Sequence, residues 1–222
     1  MPYKGALLQM YNETWGLVNI TVSATKQGNI AFMKITYQLF AFILITALTG
    51  CANPLNRATS DRYSQTCSDA ERAGNMQVAA EACYRAYVNV EWGNLGPEAK
   101  SEKLYNFGRV LRKSGRYNDA KEALTRSLAE EEKLSGKNSI KSGRRMAELS
   151  ATYLELNQFE DGAEYLDAVL PITAQYSKGE KQFIAALLYF YGKNLKDIKK
   201  AKDYHAKMTE LGYFEVDFEQ RR

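Results

Sequence analysis

The chain has 222 residues, 45% of them hydrophobic and 25% charged. That is enough apolar material for one domain or a short repeat array, without metals or a dense disulfide framework. Its net charge of +4 falls to +2 when counting starts at Cys51, with 27 basic against 25 acidic residues, and this balance does not point to nucleic acid as a partner. Only four prolines occur, and the frequent alanine, leucine, lysine and glutamate favour helix.

The first element in chain order is the apolar run ITYQLFAFILITAL at residues 35–48. A helix that spans a bilayer needs about twenty apolar residues, so this shorter run reads as the core of a signal peptide, with Met33 and Lys34 supplying the start and the positive flank. The alternative is a short buried helix. Leu48, Thr49, Gly50 and Cys51 follow directly and resemble the lipobox of bacterial lipoproteins. The resemblance implies cleavage before Cys51 and acylation of its thiol and new amino terminus. Ala52, where inner-membrane lipoproteins carry Asp, implies sorting to the outer membrane of a Gram-negative cell, facing the periplasm. Residues 1–32 then read as a spurious upstream extension with Met33 as initiator, the alternative being a genuine extended leader, with 33–50 as signal peptide and 51–59 as a lipidated, flexible tether containing Pro54.

From residue 60 the sequence repeats itself. The clearest unit sets Leu104, Phe107, Gly108 and Leu111 on one helical face, breaks at Gly115, and sets Tyr117, Ala120, Leu124 and Ser127 on the face of a second helix. A copy precedes it (Tyr63, Cys67, Ala70, Gly74, Met76, Ala79, Cys83, Ala86). Another follows (Met146, Leu149, Ser150, Tyr153, Asn157, Phe159, Gly162, Leu166, Val169). The turn residues Gly74, Gly115 and Asn157 are 41 and 42 positions apart. The alternation of large and small residues, the turn glycine and the aromatic-x-x-alanine of the second helix resemble the tetratricopeptide repeat (TPR), whose basic period is about 34. The helices here are longer. Gly162 departs from the usual alanine, and the repeat-ending proline survives only as a displaced Pro171, which is expected to kink or split the second helix of its repeat.

Other stops fit helix hairpins: Gly93 to Pro97, with proline at a first helical position, and Ser135–Gly136, with Asn138 as the next cap. Residues 179–212 read as one more degenerate hairpin, introduced by a capping box at Ser177 and Glu180 and carrying the stripe Ile198, Ala201, His205, Met208. The expectation is an all-α, TPR-like solenoid of three clear repeats and a degenerate fourth over residues 60–215, with 216–222 as a tail.

Cys67 and Cys83 stand at offsets that lie nearly opposite in an antiparallel hairpin. A disulfide is favoured over two buried thiols, and an oxidising compartment permits it. No zinc spacing, nucleotide loop or nucleophile with a base is visible. His205, the sole histidine, reads as a packed residue, and Glu130, Glu131 and Glu132 as a solvated face. No cofactor and no catalysis are expected.

Stacked hairpins leave a concave wall lined by their first helices. The residues there that packing does not use are Tyr105, Asn106, Arg109, Arg112, Lys113 and Arg144, with Glu148 and Ala151 beside them. Arginine and tyrosine are strong interface anchors. The expected partners are therefore other envelope proteins or peptides, bound by this groove through an acidic or extended segment, with the membrane engaged by the lipid. The expected role is a non-enzymatic adaptor or assembly factor. The alternatives are a regulatory subunit of a cell-wall enzyme and a surface or secreted effector.

Overall fold

The structure is a computed structural model and describes residues 53–219. The expected leader at 33–50 and the expected lipidation site Cys51 lie outside the described residues. The described residues form helices and no strand. They run α1 (Pro54–Arg72), α2 (Met76–Trp92), α3 (Pro97–Lys113), α4 (Tyr117–Ser135), α5 (Ile140–Glu155), α6 (Phe159–Val169), a 3₁₀ segment (Leu170–Gln175), α7 (Lys178–Asn194), α8 (Ile198–Glu210) and a short α9 (Val216–Glu219).

Consecutive helices pair as antiparallel hairpins, and each hairpin stacks on the next. Inside the first three hairpins the chain reverses through a left-handed residue: Gly74 at φ +75°, Gly115 at +79° and Asn157 at +56°. Glycine tolerates this backbone freely and asparagine better than most, which is why those residues mark the period in the sequence. The expected stops hold as well. Pro97 opens α3, and α4 ends where Gly136 takes a positive φ. Pro171 ends the α-helical geometry of α6 and turns the chain into the 3₁₀ segment. The box of Ser177 and Glu180 caps α7.

Small residues let the paired helices approach. A Cβ at Gly108 would meet Leu124 Cγ at 2.6 Å, and one at Gly162 would meet the Tyr191 hydroxyl at 1.8 Å. Gly162 therefore departs from alanine to make room for Tyr191, which is fully buried and donates its hydroxyl to the Ser150 carbonyl at 2.7 Å. Serine pairs do similar work in the second hairpin, where Ser127 Oγ donates to the Ser101 carbonyl at 2.7 Å and Ser101 Oγ to the Ser127 carbonyl at 3.2 Å. Leu104, Leu111 and Leu124, and farther along Leu149, Leu166, Ile184 and Leu188, are fully buried. Each contributes about 1.5–3 kcal/mol.

Five expectations are corrected. The tether is not a flexible spacer from Asn53 onward: Pro54 occupies the first turn of α1, Asn53 caps it, and the Asn53 N–H donates to the Gly93 carbonyl at 3.0 Å. Ser139, not Asn138, caps α5. The inward stripe of α8 is Ala201, Tyr204 and Met208; Ile198 and His205 face solvent, and His205 lies 3.5 Å from Glu215. A stripe phased on Tyr204 places the larger apolar ring inside, where its hydroxyl reaches Asp167 at 2.7 Å. Glu131 is not solvated; it is 3% exposed and meets Arg145 at 2.9 Å, because α4 turns that position toward α5. The expected tail is helical to Glu219, with Phe218 buried against Tyr189. Among the described residues no helix is long and apolar enough to cross a membrane.

Candidate functional site

The first helices α3, α5 and α7 touch one another across successive hairpins, and the second helices do so less. This places the first helices on the inner wall. Between α3, α5 and α7 lies an open cleft of about 410 Å³, lined by Tyr105, Asn106, Arg109, Arg144, Glu148 and Phe183 among others. Four of the six expected groove residues (Tyr105, Asn106, Arg109 and Arg144) therefore share one cleft. Arg112 and Lys113 lie outside its lining. A smaller cleft of about 200 Å³ between α1 and α3 shares Asn106 and Arg109 and runs past the Cys67–Cys83 pair.

The cations of the wall are not free. Arg109 makes a two-pronged contact with Glu71, 2.7 Å to each carboxylate oxygen, and Lys113 reaches the same carboxylate at 2.5 Å. Arg112 meets Glu148 at 2.9 Å, and Arg144 meets Glu180 at 2.6 Å. Each pair joins a first helix to the first helix of an adjacent hairpin: α3 to α1, α3 to α5, and α5 to α7. The result is a ladder of charge along the inner face. Arg112 also lies over the Phe183 ring, and Arg145 over the Tyr105 ring at 5.0 Å. These contacts hold the aromatic walls of the cleft in place.

The ladder shapes the protonation of its members. Burial pushes Glu71 up, but hydrogen bonds and charge from Lys113 and Arg109 outweigh it and hold its pKa low. Glu180 is likewise opposed by burial. Hydrogen bonds from Ser177 and Arg144 nevertheless bring it down to about 2. Burial, reinforced by the Glu148 charge, pushes Tyr105 up to about 12. Burial and the Glu180 charge do the same for Tyr176. All four therefore keep their ordinary charge states at neutral pH. Tyr176 is wedged against Gly143, where a Cβ would lie 2.0 Å from its hydroxyl, and that hydroxyl has no hydrogen-bond partner among the described residues. Among the described residues no group of three histidine, cysteine or acidic side chains is placed to hold a metal ion.

Cys67 and Cys83 form a disulfide with Cα atoms 5.2 Å apart, tying α1 to α2. Sequence reasoning missed the wall carboxylates Glu71 and Glu180 and the cleft-lining Phe183 and Tyr176. For the carboxylates a signal existed: Arg112 to Glu148 and Arg144 to Glu180 are each 36 positions apart, and Glu71 to Arg109 is 38, roughly one helical turn short of the 41–42 repeat spacing.

The comparisons agree with this architecture. The chain is similar in structure to the nearly identical TPR-like repeats of a kinesin-light-chain-like protein from Podosopora anserina, with 16% identity, a TM-score of 0.54, and 69% of this chain and 74% of that chain covered. A form of that protein with a single substitution matches with 15% identity, a TM-score of 0.55, and 72% and 76% covered. The fold is a TPR-like repeat array. No family model matches the chain, and no curated protein matches it in sequence. At this level of identity the TPR-like likeness concerns the fold alone.

Proposed function

We propose that this chain is a non-enzymatic, lipid-anchored interaction module of the bacterial envelope. Its TPR-like inner wall takes an extended segment of another envelope protein, and the module serves as an adaptor or assembly factor at the outer membrane. The observation that carries the reading is the open cleft between α3, α5 and α7, with aromatic walls and polar rims built from Tyr105, Asn106, Arg144 and Phe183. Aromatic and arginine side chains around a concave surface are what a peptide anchor needs.

The charge ladder refines the partner. Four cations on the wall (Arg109, Arg112, Lys113, Arg144) meet three carboxylates (Glu71, Glu148, Glu180), which leaves a surplus of one. A strongly acidic ligand gains little from such a surface. A segment with an apolar side chain for the cleft and few charges fits better. The lipid anchor is supported by the order of positive flank, apolar run and lipobox ending at Cys51, and by the disulfide, which suits an oxidising compartment.

The two parts are tested separately. A photo-crosslinking residue at Asn106 on the inner wall, compared with one at exposed Lys133 on the second helix α4, is expected to capture a discrete partner in intact cells from the first position only. Equal capture from both positions sinks the groove assignment. Labelling with a radioactive fatty acid, with Cys51→Ser as control, tests the anchor, which fails if label persists in the variant or never appears.

A further inference from the structure

The two most exposed large apolar side chains among the described residues are Trp92, at 78%, and Leu55, at 72%. They stand at the same end of the first hairpin. Leu55 lies in the first turn of α1 and Trp92 is the last residue of α2. The Asn53 N–H donates to the Gly93 carbonyl, and a Cβ on Gly93 would lie 2.6 Å from Asn56 Cβ, so the start of α1 is pressed against the end of α2. The Asn53 side chain accepts the Leu55 N–H at 3.0 Å. From Asn53 onward the described chain is tied down at this corner.

Cys51 precedes Asn53 by two residues, and two residues reach about 7 Å at full extension. A lipid carried by Cys51 therefore cannot hold this end of the array far from the bilayer surface. Tryptophan suits that depth, because its ring is apolar and its indole N–H can stay wet. In water the same two side chains leave apolar surface unburied at a cost of about 25 cal/mol per Å². We propose that Leu55 and Trp92 form a membrane-contact edge that dips into the lipid headgroup layer and stands the repeat array on the bilayer by its first hairpin. This rests on the lipid-anchor reading, and the edge fixes an orientation that the anchor alone does not.

The test uses the full chain, expressed with its leader in a Gram-negative host, purified in detergent and reconstituted into phosphatidylethanolamine–phosphatidylglycerol vesicles. The chain contains two tryptophans, Trp15 and Trp92; Trp15→Phe leaves Trp92 as the one reporter whether or not the leader is removed. Lipids brominated on the upper acyl chain are expected to quench Trp92 emission about twofold or more, and acrylamide quenching is expected to fall by a similar factor relative to free tryptophan in the same buffer. A control with Trp92→Phe and Phe214→Trp moves the reporter to the far end of the array and is expected to stay open to acrylamide and untouched by brominated chains.

Mass spectrometry of the same sample reports the state of Cys51. Acylated protein whose Trp92 remains open to acrylamide overturns the contact edge and leaves the anchor standing. Trp92 shielded from acrylamide but untouched by brominated lipid means that protein covers it, which also overturns the edge. Unmodified Cys51 overturns the anchor and the edge together.

Discussion

Replacing Gly162 with alanine separates the geometry of this chain from the pattern it resembles. Alanine is the usual residue at that point of a TPR-like second helix, and in a helix interior it is favoured over glycine by about 0.8–1 kcal/mol. By pattern alone, Gly162→Ala is stabilising. The structure dictates the opposite. The new methyl would lie 1.8 Å from the Tyr191 hydroxyl, 2.9 Å from its ring carbon and 2.6 Å from Tyr153 Cβ. Tyr191 is fully buried, so it cannot swing into solvent, and moving it breaks its bond to the Ser150 carbonyl. Overpacking costs about 1–3 kcal/mol and the lost buried hydrogen bond about 1. Against the helix gain, the net expectation is a loss of about 2 kcal/mol, read as a lower urea midpoint with unchanged slope by far-ultraviolet circular dichroism. Tyr191→Phe removes the atom that collides most severely. In that background Gly162→Ala is expected to cost at least about 1 kcal/mol less, a coupling that a double-mutant cycle measures directly. A Gly162→Ala protein as stable as the parent, or a cycle that closes at zero, refutes the reasoning.

Reducing the Cys67–Cys83 disulfide, or replacing both residues with alanine, opens a loop whose ends are 16 positions apart and is expected to cost about 3 kcal/mol. Urea melts with and without reductant check it, and identical midpoints refute it. Glu131→Leu leaves Arg145 buried and unpaired and is expected to cost about 3–5 kcal/mol, whereas Glu131→Leu with Arg145→Leu recovers most of that loss; the same melts decide. Glu180 has its pKa lowered from 4.5 to about 2 in the folded chain. Its contribution is therefore fully present above pH 4.5 and is lost as pH falls toward 2. The full shift corresponds to about 3.4 kcal/mol, but Arg144 is half exposed and solvent screening reduces this to about 1. Glu180→Gln is thus expected to be less stable than the parent at pH 7 and equal to it at pH 2, as measured by urea unfolding at the two pH values; a gap that does not shrink refutes the assignment.

The hairpins were legible because their signals are local. A left-handed turn needs Gly74, Gly115 or Asn157, and close helices need Gly108 or Ala120, so both leave marks that recur with the period. Capping by Ser177 and Glu180 and the break at Pro171 are local in the same sense. What escaped depends on neighbours in space. Glu131 looked like one of three surface acids, and only the approach of α5 with Arg145 buries it. The phase of α8 was misread because Ile198 and His205 share a helical face with each other as well as Tyr204 and Met208 do, and nothing in one short helix says which face meets α7. Tyr105, Asn106, Arg109 and Arg144 were named by type and position and line one cleft, but the carboxylates that neutralise the wall cations sit one hairpin away. The sequence therefore displayed a basic wall where the fold builds a nearly neutral one.

That ladder has a mechanical side. Its rungs cross from hairpin to hairpin on the face shared by the first helices, so they tie neighbouring hairpins together. The rungs therefore couple neighbouring hairpins along one face, and salt, which weakens exposed ties most, acts chiefly on the Arg144–Glu180 rung, the most exposed of them.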